Sequence, residues 1–171
     1  MANPYRSPHA HRGIGTLVVG SGEDRWGKKT TTSADQVWTK VSEKDTGGAW
    51  SMFESCVPAG LGVPLHMHHE QDEWFWVLEG AFLFEVAGEI YRLSSGMSLF
   101  APRQLPHRWK KTSDAEGRLL ILVQPAERLE EFFARFAAVP GEHRQNLDIL
   151  RGLFRECGME LLGPPLSDGI E

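Results

Sequence analysis

The chain has 171 residues, 41% of them apolar and 24% charged, with a net charge of −5 at pH 7. That length suffices for one globular domain with its own core, so a metal found here is expected to be functional rather than a staple for the fold. Eighteen basic against 23 acidic residues leave no electrostatic footprint for nucleic acid, and no apolar run approaches the ~20 residues of a membrane span. Cys56 and Cys157 belong to no CxxC or secreted cysteine framework, and the opening MANPYRSPHAHR lacks the apolar stretch of a signal peptide, so a cytoplasmic location is expected.

In chain order, residues 1–12, which carry His9 and His11, read as a mobile arm. Residues 13–125 follow as a β-domain in which glycine and proline separate short apolar runs. Strands are expected at 13–19, 37–41, 49–57, 73–78, 81–86, 90–93, 97–101, 108–112 and 118–124. Turns spaced about 8 to 12 residues apart indicate an antiparallel sandwich or barrel. Residues 126–171 read as a helical extension. Leu129, Phe132, Phe133 and Phe136 form one amphipathic stripe, Pro140-Gly141 breaks it, and Leu150, Leu153, Phe154 and Cys157 form a second that ends at Gly158. Both helices are expected to close over an otherwise open sheet face.

Within the β-domain, His66, Met67 and His68 are followed by Glu73 and later by His107. Side chains alternate faces along a strand, so His66 and His68 share one side. If Glu73 points inward, Phe75 and Val77 follow it, while Trp74, Trp76 and Leu78 face out and need a cover, either the C-terminal helices or a partner subunit. Three imidazoles and a carboxylate suit a divalent transition ion among Fe, Mn, Ni, Co, Cu and Zn rather than Mg or Ca. The alternative is a set of ordinary hydrogen-bonded core histidines. His69, Glu70 and Asp72 lie in the intervening turn, Glu70 being the alternative carboxylate. Arg103 and Gln104 lie on a loop beside the site, and Trp109 shares the face of His107. Phe75, Gln104 and Trp109 are thus the candidate substrate-pocket residues.

The stretch from Gly60 through His66, His68 and Glu73 to Gly80 resembles the first cupin motif, G(x)5HxH(x)3-4E(x)6G, at every defined position. The stretch from Gly96 through Pro102 to His107 resembles the second motif in part, with Gln104 in place of the family's glycine and Lys111 in place of its asparagine. The resemblance covers roughly residues 48 to 124 and is to single-domain, quercetin-dioxygenase-like members. It implies an all-β, double-stranded β-helix (jelly-roll) barrel with C-terminal amphipathic helices and one metal held by His66, His68, Glu73 and His107. It also implies a proton-accepting role for Glu73 and, with the outward tryptophans, a homodimer.

Four protein ligands leave positions open on a six-coordinate ion for water, dioxygen or a chelating substrate. The first functional expectation is a metal-dependent dioxygenase acting on a small aromatic or enolic compound. The alternatives are a non-catalytic module that binds a metal and a small ligand, and a redox-neutral isomerase or lyase.

Overall fold

A computed structural model describes residues 15–27, 30–31, 35–144 and 146–167. The arm expected over 1–12, with its two histidines, lies outside the described residues. Eleven strands are described: β1 (Thr30–Thr31), β2 (Gln36–Val41), β3 (Ser51–Val57), β4 (Leu65–His68), β5 (Asp72–Glu79), β6 (Ala81–Val86), β7 (Glu89–Ser94), β8 (Ser98–Ala101), β9 (His107–Lys111), β10 (Gly117–Gln124) and β11 (Met159–Gly163). The helices are α1 (Glu43–Thr46), α2 (Leu129–Ala138) and α3 (Leu147–Glu156). All strand pairs are antiparallel, and they form two sheets, one in the order β1-β2-β3-β10-β5-β8 and the other β11-β4-β9-β6-β7.

Alternation along the strands builds the core between the sheets. On β10, Leu119, Ile121 and Val123 point inward and are buried, and on β5 Glu73, Phe75 and Val77 do the same. The facing sheet contributes Phe82, Phe84 and Trp109, with Phe75 and Phe84 ring centroids 5.0 Å apart. The chain passes from one sheet to the other at Gly80. There φ is +88° and an added Cβ would come within 2.9 Å of the Lys111 side chain, so the corner needs glycine twice over. Ala87 and Gly88, both at positive φ, close the two-residue hairpin between β6 and β7.

The two apolar stripes fold as α2 and α3. Phe132 meets Phe154 of α3 with centroids 4.8 Å apart, and Phe133 reaches Phe53 on the inner face of β3 at 5.1 Å. Gly158 adopts the left-handed conformation that ends α3. The C-terminal region is not purely helical, because β11 pairs with β4, matching Met159 to His68 and Leu161 to His66. The expected strand at 13–19 is a correction: its described residues, 15–19, have no strand conformation, and Val18 is 88% exposed. Its apolar run is short, and no sheet edge receives it. None of the described helices is long and apolar enough to cross a membrane.

Candidate metal centre

Backbone geometry brings the four predicted ligands together. Strand alternation puts His66 and His68 on one face of β4, and the register of β4 with β9 sets His107 directly across from His66. Glu73, at the start of β5, reaches them from the opposite sheet. One ligand atom from each of the four residues lies within 4.8 Å of all the others. His107 Nε2 is 2.9 Å and His68 Nε2 3.3 Å from Glu73 Oε2. The His66 and His107 rings are 4.5 Å apart, centroid to centroid.

Each imidazole is held by its outer nitrogen. Nδ1 of His66 lies 2.9 Å from the Pro64 carbonyl, Nδ1 of His107 3.0 Å from the Leu105 carbonyl, and Nδ1 of His68 2.8 Å from Gln71 Oε1. All three partners are acceptor oxygens, so Nδ1 carries the proton and the Nε2 lone pair is the one left for the cluster. Gln71 is itself fixed, donating from Nε2 to the Ala126 carbonyl at 2.6 Å and the Pro125 carbonyl at 3.2 Å. His68 Nε2 is buried and has no hydrogen-bond partner among the described residues, despite its approach to Glu73. A buried, unsatisfied nitrogen lone pair facing a carboxylate and two further imidazoles fits a metal ion better than a satisfied core.

The electrostatics point the same way. Burial works against ionisation of Glu73, but the nearness of His107 and His68, whose Nε2 atoms become positively charged donors to it when those rings are protonated, outweighs burial and holds the carboxyl well below the usual carboxylate range. Burial and the neighbouring His107 and His68 push His66 down to about 3, so it stays a neutral donor. At His68 burial opposes the charged form, yet the carboxylate of Glu73, which a protonated ring would face, shifts the ring upward. The cluster therefore attracts positive charge that a divalent cation can supply without protonating every ring.

His66, His68 and Glu73 form one side of a cavity of about 400 Å³. The remaining walls are mainly apolar: Trp109 and Ile121 from the sheets, Phe132 and Phe136 from α2, Leu150 and Phe154 from α3. Three polar side chains, Asp35, Ser55 and Arg144, interrupt that lining.

Of the predicted pocket residues, Trp109 lines the cavity. Phe75 is buried beside the cluster, its ring 6.2 Å from that of His107, and is absent from the cavity wall. Gln104 is exposed, at φ +65°, and donates its backbone N–H to the His68 carbonyl at 2.8 Å, which sets it on the loop behind the ligand strand. Arg103 and Asp72 pair with each other at 2.8 Å, and His69 and Glu70 are exposed. Sequence reasoning missed Gln71, Asp35 and Ser55. A neutral amide three residues after a ligand histidine was the available signal for Gln71.

Residues 53–123, which contain all four ligands, match the cupin domain family. The match covers less than half of the chain. Outside the match lie β1, β2, both C-terminal helices and β11, so part of the cavity wall is built from residues beyond the matched segment. Protein SchB of Streptomyces halstedii is 32% identical over 82 residues, 47% of this chain and 59% of that protein. Polyketide synthase CurC of Streptomyces cyaneus is 28% identical over 82 residues, 47% of this chain and 53% of that protein. The chain thus spans little more than half the length of these two curated relatives. A predicted oxalate decarboxylase from Thermotoga maritima shares the fold, with a TM-score of 0.56 at 19% identity over 64% of this chain and 99% of that one.

Proposed function

We propose that this cupin is a mononuclear metal-dependent enzyme acting on a small, largely apolar aromatic or enolic molecule, with dioxygenation as the leading reaction. One observation carries the reading: three residues of the four-residue cluster, His66, His68 and Glu73, form one side of a mainly apolar cavity large enough for such a molecule. His66, His68, Glu73 and His107 would hold the ion, which supplies Lewis acidity and open coordination positions when bound. The chain's own residues do the rest. Trp109 and the phenylalanines of α2 and α3 exclude water and orient a flat substrate against the cluster. Glu73, ionised and adjacent to the cavity, is the group placed to accept a proton from an enolic hydroxyl.

A redox-neutral reaction is the second reading, favoured by the likeness to CurC, whose name is that of a polyketide synthase. Oxygen uptake and product analysis with flavonols, catechols and β-diketones, under Fe, Mn, Ni and Co, separate the two. Uptake with product formation supports the dioxygenase, and product formed equally without oxygen supports the redox-neutral enzyme. Ligand-induced thermal stabilisation with no product would leave a binding module.

The same reading includes a homodimer in a reducing, cytoplasmic compartment. Trp76 is 42%, Leu78 44% and Phe100 57% exposed on the outer face of β5 and β8, where Phe100 lies opposite Trp74, and neither C-terminal helix covers them. Such a contiguous apolar face is what a second copy would bury. Sedimentation should show a dimer that Phe100→Glu dissociates, and a monomeric wild type would contradict it.

A further inference from the structure

Among the described residues, no cation pairs with one carboxylate of the cavity. Asp35, at the entry to β2, is only 8% exposed, lines the cavity, and receives one side-chain hydrogen bond, from Ser55 Oγ at 3.2 Å. Among the described residues it has no ion pair, whereas a buried carboxylate ordinarily has a cation or several donors. Arg144, which also lines the cavity, directs its guanidinium to the Val139 and Ala137 carbonyls at the end of α2. Burial accordingly pushes the Asp35 carboxyl up to about 6. Asp35 lies outside residues 53–123, which match the cupin family.

Strand register locates it relative to the cluster. On β10, Leu119 pairs with Ser55 and Val123 pairs with Glu73. Four residues along the strand and two strand spacings across the sheet correspond to roughly 13 Å and about 10 Å of backbone. The backbone that carries Ser55 and the backbone that carries Glu73 are therefore well apart in the sheet, while both side chains line the same cavity.

We propose that Asp35, backed by Ser55, is a ligand-binding anchor that accepts a hydrogen bond from a hydroxyl or amino group at the end of the substrate remote from the metal cluster. The inference rests on the apolar-cavity reading and names its substrate class more closely: an elongated molecule of more than one ring, or a ring with a chain. Such a molecule has oxygen donors at one end and a hydrogen-bond donor at the other. The carboxylate oxygens have lone pairs left after the Ser55 contact, and the apolar surroundings make that unmet capacity selective. An isostere lacking the donor leaves the carboxylate unpaired.

Phenol and toluene, of nearly equal shape, test this without reference to the metal chemistry. Their dissociation constants are measured by NMR titration of wild type, Asp35→Leu and Asp35→Asn, together with the melting temperature of each ligand-free protein. The expected result is about tenfold weaker phenol binding in Asp35→Leu with toluene unchanged, a smaller loss in Asp35→Asn, and melting temperatures at or above that of wild type. Phenol binding unchanged in both variants, or phenol and toluene weakened equally in variants that melt below wild type, would overturn the anchor and assign Asp35 a structural role. Failure of both fragments to bind wild type would overturn the cavity reading beneath it.

Discussion

Two glutamates are buried in the same sheet, with different company. Glu54 on β3 lies between Lys40 Nζ at 2.9 Å and Arg118 at 2.6 Å, and the backbone N–H of Gly22 reaches it from the segment that crosses the outer face. Glu73 on β5 is as deeply buried, but its neighbours are the imidazoles of His107 and His68. Lys and Arg carry their charge at every physiological pH, so Glu54 is permanently compensated and pins one segment to another. Imidazoles carry theirs only when protonated, and here their Nδ1 atoms are already committed to oxygens. A carboxylate beside neutral nitrogen donors is the arrangement that a metal ion completes, whereas a carboxylate beside ammonium and guanidinium is already complete.

The largest effect that tests this contrast is on stability. Glu54→Ala strands two cations and should cost about 3 kcal/mol, lowering the melting temperature by roughly 6–12 °C, while bound metal stays at wild-type stoichiometry. Calorimetry with metal analysis checks both, and loss of metal in this variant would erase the distinction between the two glutamates. A smaller effect is expected at Gln71, which holds His68 in the tautomer that frees Nε2. Gln71→Ala should weaken metal affinity about 10- to 100-fold, read by competition with a chelator, with Gln71→Glu recovering part of the loss through its retained acceptor. The smallest concerns Asp35, a third buried carboxylate with neither cation nor imidazole. Its folded value of about 6 lies above the ordinary aspartate value of 3.8, so the stability it contributes is full below that lower value and is lost as pH rises through the upper one. Asp35→Asn, which does not titrate, should gain about 1–2 kcal/mol on wild type between pH 4 and pH 7 in denaturant melts. A gap independent of pH would show the carboxyl to be compensated after all.

What could be read from the chain follows the reach of local geometry. His66, His68 and Glu73 were legible because strand alternation and a short turn fix their mutual placement. The inward Phe75 and outward Trp76 followed from the same period, and the stripes of α2 and α3 from the helical one. The contacts that escaped are long-range. Gln71 gains its role from carbonyls 54 and 55 residues away, and Asp35 meets Ser55 only through the pairing of β2 with β3. The five residues of β11 are too short to announce a partner, and the apolar residues near position 17 resembled a strand but found no edge to join. Gln104 illustrates the converse: nearness in sequence to His107 suggested the pocket, while its left-handed backbone turns it onto the loop behind β4.

The central claim is that His66, His68, Glu73 and His107 hold one transition-metal ion. Elemental analysis of the protein purified without added metal, set beside His66→Ala and His107→Ala variants whose circular dichroism matches wild type, tests it most directly. The account predicts one ion per chain in the wild type and background levels in both variants. Wild-type stoichiometry retained in the folded variants, or a wild type that takes up no ion even when Fe, Mn, Co, Ni, Cu and Zn are supplied, would contradict it.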